Sequence, residues 1–335
     1  MFNFTRRAAI ASVAALGLVA SATSAVADGH KVTFTLATSG SETDQRSVAM
    51  AEVFAPMVAE FADYQPGYNG TLFAQGTELE AIAGGNLTMS IASAQELAQF
   101  FPEFSIFATG YVHQDAAHQV RVFNDPLMDP FKQTVEDELG VKLLSVMYLG
   151  RRHVNLRQTR EELDVQTPAD LAGVNLRMPG TDAWQFLGAA LGASPTPLAF
   201  SEVYTSLSSG AIDGQDNPLP TVVDQKFYEV TKQIALTSHL VDLNYIAFSV
   251  ETWNSLTPEQ QLTVQRAADA AAAYGRLRQL DKENNLADFI RSQGVEIYTP
   301  DLAAFRSHVQ AQYVGSEVAE SWPEGVLERI NALGN

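Results

Sequence analysis

The 335-residue chain has no cysteine. That excludes thiol catalysis, cysteine-ligated metals and any disulfide framework, so stability must come from core burial. Histidine is scarce and scattered over His30, His113, His118, His153, His239 and His308. None forms an H-E-x-x-H pair, and the five-residue spacing of His113 and His118 suits no metal on one helix face. G-x-S-x-G, Walker and G-x-G-x-x-G loops are absent. "DGQDNP" (213–218) opens like a calcium loop but lacks the alternating ligands and closing glutamate. No nucleophile–base pair is visible, so no enzyme, catalytic residue, metal or cofactor is expected. Positive charge is also short: 21 Lys and Arg face 39 Asp and Glu, a net charge of −18. Such a field repels nucleic acid and anionic lipid. Acid pairs such as Glu161-Glu162 and Glu136 with Glu138 read as solvated faces.

Long apolar runs are missing after the first residues. "MFNFTRRAAIASVAALGLVASATSAVADGH" carries two arginines, an alanine-rich apolar run, then Ala25-Val26-Ala27. This reads as a secretory leader, residues 1–27, with cleavage leaving Asp28 first. The run is too short and too alanine-rich for a good membrane anchor. Arg6-Arg7 leaves both general and twin-arginine export open. The leader holds two of the 21 basic residues and none of the acids, so the remainder carries a net −20. Export without disulfides suits a bacterial periplasmic protein. Any anion it binds must be held by local basic groups working against that background.

The remaining chain exceeds one comfortable core and suggests two lobes. "HKVTFTLATS" (30–39) alternates as a strand, and 47–63 has the three-and-four spacing of an amphipathic helix. "YNGTLFAQG" (68–76) reads as a second strand, "ELEAIAGG" as a helix and "LTMSIAS" as a third strand. Such alternation predicts an α/β fold with a largely parallel sheet. "GVKLLSVMYLG" (140–150) is an apolar strand. Thr167-Pro168 caps a short helix that Gly173 stops, and "VNLRMPG" (174–180) is the strand after it. "DAWQFLGAALGA" is a helix, "AID" (211–213) a short strand and "LNYIAFSV" a further strand. Residues 256–295 form one helical run, long enough to cross both lobes. With no flexible linker, several chain crossings and a ligand cleft between lobes follow.

Two cationic features stand at apolar strand ends: "YLGRRHVNLR" (148–157) and Arg177 in "NLRMPG". Ligands of open α/β sheets bind outside the carboxyl ends of strands, and a guanidinium grips a carboxylate with two parallel bonds. The plain alternative is an edge strand facing water, with each arginine paired to one of the many acids.

The stretch 175–239, with "LRMPG", "GASPTPLAFSEVY", "GAIDGQDNP" and "KFYEV…TSH" in order, resembles the solute-binding proteins of tripartite ATP-independent periplasmic (TRAP) transporters, the DctP-like family. A weaker resemblance extends from about 30 to 330. It implies a two-lobed α/β periplasmic-binding-protein fold with a cleft and a long helix spanning both lobes. Lobe I would hold 28–149 and 243–281, lobe II 150–242 and 282–335. It implies capture of a small organic acid by a monomer and delivery to small and large permease subunits for sodium-driven uptake. The family's main carboxylate-binding arginine falls on Arg177. Its second basic position, a G-x-R pattern, falls on Arg152, with Arg157 an alternative because the intervening segment is longer than usual. Its ligand-facing asparagine is Asn217, and an aromatic near the ligand is Phe200. Thr38, Glu78 and Ser93 are expected to read hydroxyls from the first lobe. Trp184 either caps an apolar part of the ligand or packs in the core. Where sialic-acid-binding members carry a glutamate and an arginine, this chain has Ser93 and Glu96, which argues against sialic acid. A sulfonate ligand, or a sensor-kinase receptor on the same fold, remain the alternatives.

Overall fold

The computed structural model describes residues 31–334; the leader and its cleavage point lie outside the described residues. The strands are β1 (Val32–Ala37), β2 (Ala62–Gly67), β3 (Met89–Ser93), β4 (Val141–Leu156), β5 (Asn175–Met178), β6 (Ser194–Pro197), β7 (Gly214–Asn217), β8 (Gln233–Ser249) and β9 (Glu296–Tyr298). They form one sheet ordered β2-β1-β3-β8-β4-β7-β5-β6, with β9 beside β8. At one end β2, β1 and β3 are parallel; at the other β7, β5 and β6 are parallel. The long strands β4 and β8 run antiparallel between them and serve both halves.

The residue order along the long strands explains the packing. Leu143, Val146, Tyr245 and Ala247 join Phe104, Phe107 and Phe131 in one core. Their neighbours Leu144, Met147, Ile246 and Phe248 join Phe34 and Phe54 in another. Successive strand residues face opposite ways, so both faces are covered and the strands read as unbroken apolar runs. In the second half Val154, Leu156, Leu176, Met178 and Trp184 share a third core, and Val203, Phe227 and Ile234 a fourth.

The helix Pro258–Ser292 opens on a capping box between Thr257 and Gln260. At about 1.5 Å per residue its 35 residues reach about 50 Å. Val264, Ala267, Ala268, Ala271 and Ala272 bury against the first half, and Ile290 against the second. The spanning helix is therefore as the sequence indicated. The last helix, Val326–Leu333, returns to the first half: Ile330 enters its core and accepts a 2.8 Å bond from His118 Nε2.

Three local expectations are corrected. The helix expected over 47–63 runs from Gln45 to Val58, with a π-turn at Met50–Phe54. The second strand is Ala62–Gly67, not 68–76, where Asn69 and Gly70 turn the chain with positive φ of 57° and 68°. This strand pairs only with β1, and an edge position tolerates its Pro66. The strand expected at 211–213 lies at Gly214–Asn217.

Where β4 passes between halves, its pairing with β8 slips between Tyr148 and Gly150. Gly150 has φ +129°, and a Cβ there would meet Glu283 Oε1 at 2.6 Å and Pro218 Cβ at 2.7 Å. Glu283 bonds the Arg151 amide and the Tyr148 hydroxyl, each at 2.6 Å, pinning the long helix to this crossing. Gly150→Ala is expected to cost roughly 2 kcal/mol or more of stability in urea denaturation, since backbone strain and overpacking add.

Candidate functional site

The cleft between the halves holds about 480 Å³ of empty space, a figure that includes open solvent at its mouth. Six of the eight expected residues line it: Ser93 from the first half, and Arg152, Arg177, Trp184, Phe200 and Asn217 from the second.

Arg177 sits on β5, between β7 and β6, with 1% exposure. It does not face water as an edge residue would. Nε donates to the Leu198 carbonyl at 2.8 Å and Nη2 to Gln75 Oε1 at 3.0 Å. The Phe200 ring centroid lies 5.6 Å from its guanidinium carbon. No ion pair to a carboxylate forms among the described residues. Burial pulls its pKa down to about 9, partly opposed by the Asp216 charge. It stays cationic at neutral pH, but as a desolvated charge that a ligand anion can satisfy.

Arg152, on β4, is the opposite case. Nε donates to Asp242 Oδ2 at 2.6 Å, and Nη1 to the Asp216 carbonyl at 2.8 Å and Asp216 Oδ1 at 3.2 Å. Burial opposes its charge, but the two aspartates outweigh burial and hold its pKa above normal. His239 Nε2 lies 3.0 Å from Asp216 Oδ2 and extends the network. The guanidinium also lies 4.4 Å over the Trp184 ring. Trp184 thus both packs in the core and supports a cleft cation. Arg157 does not line the cleft; its guanidinium rests beside Gly210.

The Asn217 amide is fixed by a chain of side chains. Asn155 Nδ2 donates to the Gln233 carbonyl, Gln215 Nε2 to Asn155 Oδ1, and Asn217 Nδ2 to Gln215 Oε1 at 2.6 Å. The backbone carbonyl can only accept, so it sets the direction of every later amide. Asn217 keeps Oδ1 and one N–H for the cleft.

Thr38 and Glu78 are corrected: neither lines the cleft, and their neighbours do. Thr38 Oγ1 turns inward to accept from the Gly40 amide, while Ser39 faces the cleft. Glu78 Oε2 accepts from the Gly76 amide at 2.7 Å, while Gln75 reaches across to Arg177 and the Phe200 amide. Burial, and then the charge of Glu96, push the Glu78 pKa up to about 8 from an ordinary 4.5. The folded state then keeps a proton that the unfolded chain releases between those values, so stability falls as pH rises through that window. Glu78→Gln is expected to melt about 3 °C above the wild type at pH 8 and level with it at pH 5; equal melting at both would remove Glu78 as the buried acid.

Sequence reasoning missed Arg46, Gln75, Asp242 and Asn244 as cleft residues, and took Glu96 only as a departure from sialic-acid binders. Only the "IASAQEL" segment carried a signal, a Ser-x-x-Glu capping box. Ser93 Oγ accepts from the Glu96 amide, and Glu96 Oε2 accepts from the Ser93 amide.

A sheet shared by two halves, with a buried and acid-free arginine in the cleft between them, defines a two-lobed, cleft-type solute-binding protein. Comparison with known proteins makes this specific. Residues 42–318 match DctP, the bacterial extracellular solute-binding protein, family 7, and the chain belongs to that family. It is 32% identical over 239 residues to the sialic acid-binding periplasmic protein SiaP of Vibrio cholerae, covering 70% of this chain and 72% of SiaP. Among solved structures, a TRAP periplasmic solute-binding protein from Roseobacter denitrificans with bound 3-deoxy-D-manno-oct-2-ulosonic acid (KDO) is 76% identical. It has a TM-score of 0.90 over 91% of this chain and all of that one. Another from the same organism, with bound L-galactonate, is 25% identical with a TM-score of 0.81, over 91% of this chain and 99% of that one.

Proposed function

We propose that this protein is a periplasmic receptor for a polyhydroxylated sugar acid of the KDO type, which it hands to a TRAP permease. The observation that carries this is Arg177, a buried cation that forms no ion pair with a protein carboxylate among the described residues, in a cleft otherwise furnished with polar groups. Its neighbour Arg152 is already neutralised, so Arg177 is the main anchor for the ligand carboxylate. Arg152 and Asn217 frame the same anion, and Phe200 and Trp184 form its apolar walls. The 76% identity to the KDO-bound relative supports the choice of acid. Lobe boundaries near 150, 242 and 282 fit the shared strands and the spanning helix, with the last helix returning to lobe I. Export by a cleaved leader, a monomeric state and permease docking belong to the same reading.

Closure follows from where the bonds are made. Arg177 belongs to the second half and Gln75, Ser93 and Asn244 to the first, so a ligand touching both favours the closed arrangement. Closing also excludes water and strengthens the arginine contact. Calorimetry of the leaderless protein with KDO, L-galactonate and N-acetylneuraminate tests this. Sub-micromolar KDO binding, with weaker binding of the others, is the expected result; no heat with KDO at millimolar concentration sinks it.

A further inference from the structure

We propose that Arg46 is a positioning residue that turns the Asn244 amide so its NH2 group faces the cleft, making Asn244 and the Ser93 hydroxyl a donor pair that selects ligands by the hydroxyls of their tail. This rests on the sugar-acid reading above and assigns the discrimination among such acids to lobe I.

Arg46 Nη1 donates to Asn244 Oδ1 at 2.6 Å, across 198 residues of sequence. A guanidinium has no acceptor, so the contacting atom must be the amide oxygen, which fixes the flip of Asn244. Arg46 is itself held by Asp44, which accepts Nε at 2.9 Å and Nη2 at 2.7 Å. This is a two-pronged grip with both side chains 11% exposed. A buried ion pair is weak support for stability, yet here its third prong is aimed at one amide. The same pair also caps a helix, since Asp44 Oδ1 accepts the Arg46 amide at 2.8 Å. The fork therefore starts from a rigid base.

The strand geometry puts the readers together. Ser93 lies opposite Asn244 in the β3–β8 register, so the two project from the same face. Asp242 is two residues before Asn244 on β8 and shares that face. All three line the cleft. Ser93 Oγ already accepts from the Glu96 amide, so its hydrogen is free to donate. Asp242 gives Oδ2 to Arg152 and keeps Oδ1 as an acceptor. Lobe I therefore shows donors from Ser93 and Asn244 beside an acceptor from Asp242. Hydroxyl groups, which donate and accept at once, satisfy both kinds; an alkyl tail would leave them buried and unpaired.

The test is calorimetry of the leaderless protein with two probes of equal carbon number, KDO and 2-oxooctanoate. The wild type is expected to prefer KDO at least a hundredfold. Asn244→Leu should lower KDO affinity at least tenfold and leave 2-oxooctanoate within threefold, collapsing the ratio. Arg46→Lys keeps a cation for Asp44 but loses the fork, and should shift the ratio the same way. The double variant should be no worse than Asn244→Leu alone, because Arg46 acts through Asn244. A ratio unchanged in Asn244→Leu, equal losses for both probes, or additive effects in the double variant overturn the proposal. If Arg46→Lys does not fold, the Asn244→Leu ratio decides alone. A wild type that binds neither probe overturns the sugar-acid reading itself, an outcome distinct from failure of the variants.

Discussion

Arg177→Met is expected to abolish ligand capture while raising the stability of the ligand-free protein. Removing a buried partner of an anionic ligand costs roughly 3 kcal/mol or more of binding, over a hundredfold in affinity. The stability change has the opposite sign. Arg177 is 1% exposed, and burial rather than any acid dominates its surroundings. A desolvated ion costs several kcal/mol even after relaxation. Methionine fills similar space beside Phe200 without the charge. Two bonds are lost, to the Leu198 carbonyl and to Gln75, at about 1 kcal/mol each. The net gain should be about 1–3 kcal/mol, or a melting temperature a few degrees higher for a chain of this size. Urea denaturation without ligand and calorimetry with KDO read the two effects separately. A variant that is less stable and still binds would falsify the placement of Arg177 as anchor.

Arg152→Met should do the reverse to stability, although the residue is the same type, equally deep and in the same cleft. It leaves Asp216 and Asp242 facing each other without their cation, and breaking a buried pair from one side costs roughly 3–5 kcal/mol. The loss should shrink as pH falls. Without Arg152 both carboxyls have raised pKa values, and protonating them relieves the repulsion. Asp242→Asn placed on Arg152→Met should recover part of the deficit. An Arg152→Met protein as stable as the wild type at pH 7.5 would show that the two aspartates are not charged as a pair. Together the variants separate a guanidinium held for a ligand from one held for the fold.

Most of the cleft residues legible in the sequence are carried by one continuous stretch. Arg177, Phe200 and Asn217 lie within 41 residues on strand ends and the loops after them, where α/β sheets put ligand groups. First-half residues were harder. Thr38 and Glu78 were near misses because neighbouring residues at a strand end or helix start point in different directions; Ser39 and Gln75 took their places. Arg46 and Asn244 gave no local sign. An arginine in the first turn of a helix reads as a solvated charge, and an asparagine in "LNYIAFSV" as an interruption of a buried strand. Their roles exist only because residues 198 apart meet.

The sequence by itself determined the α/β class and the long spanning helix. Each of these rests on local periodicity, a cap or a compact motif, and these act over a few turns of chain. Only the tertiary structure decided which arginine is free to bind. Arg152 and Arg177 look alike in one dimension; Asp216 and Asp242 neutralise the first, and among the described residues no acid forms an ion pair with the second, whose burial only the more distant Asp216 charge partly opposes. Charge compensation depends on distances of a few ångströms between strands far apart in sequence, and burial multiplies its effect by removing water.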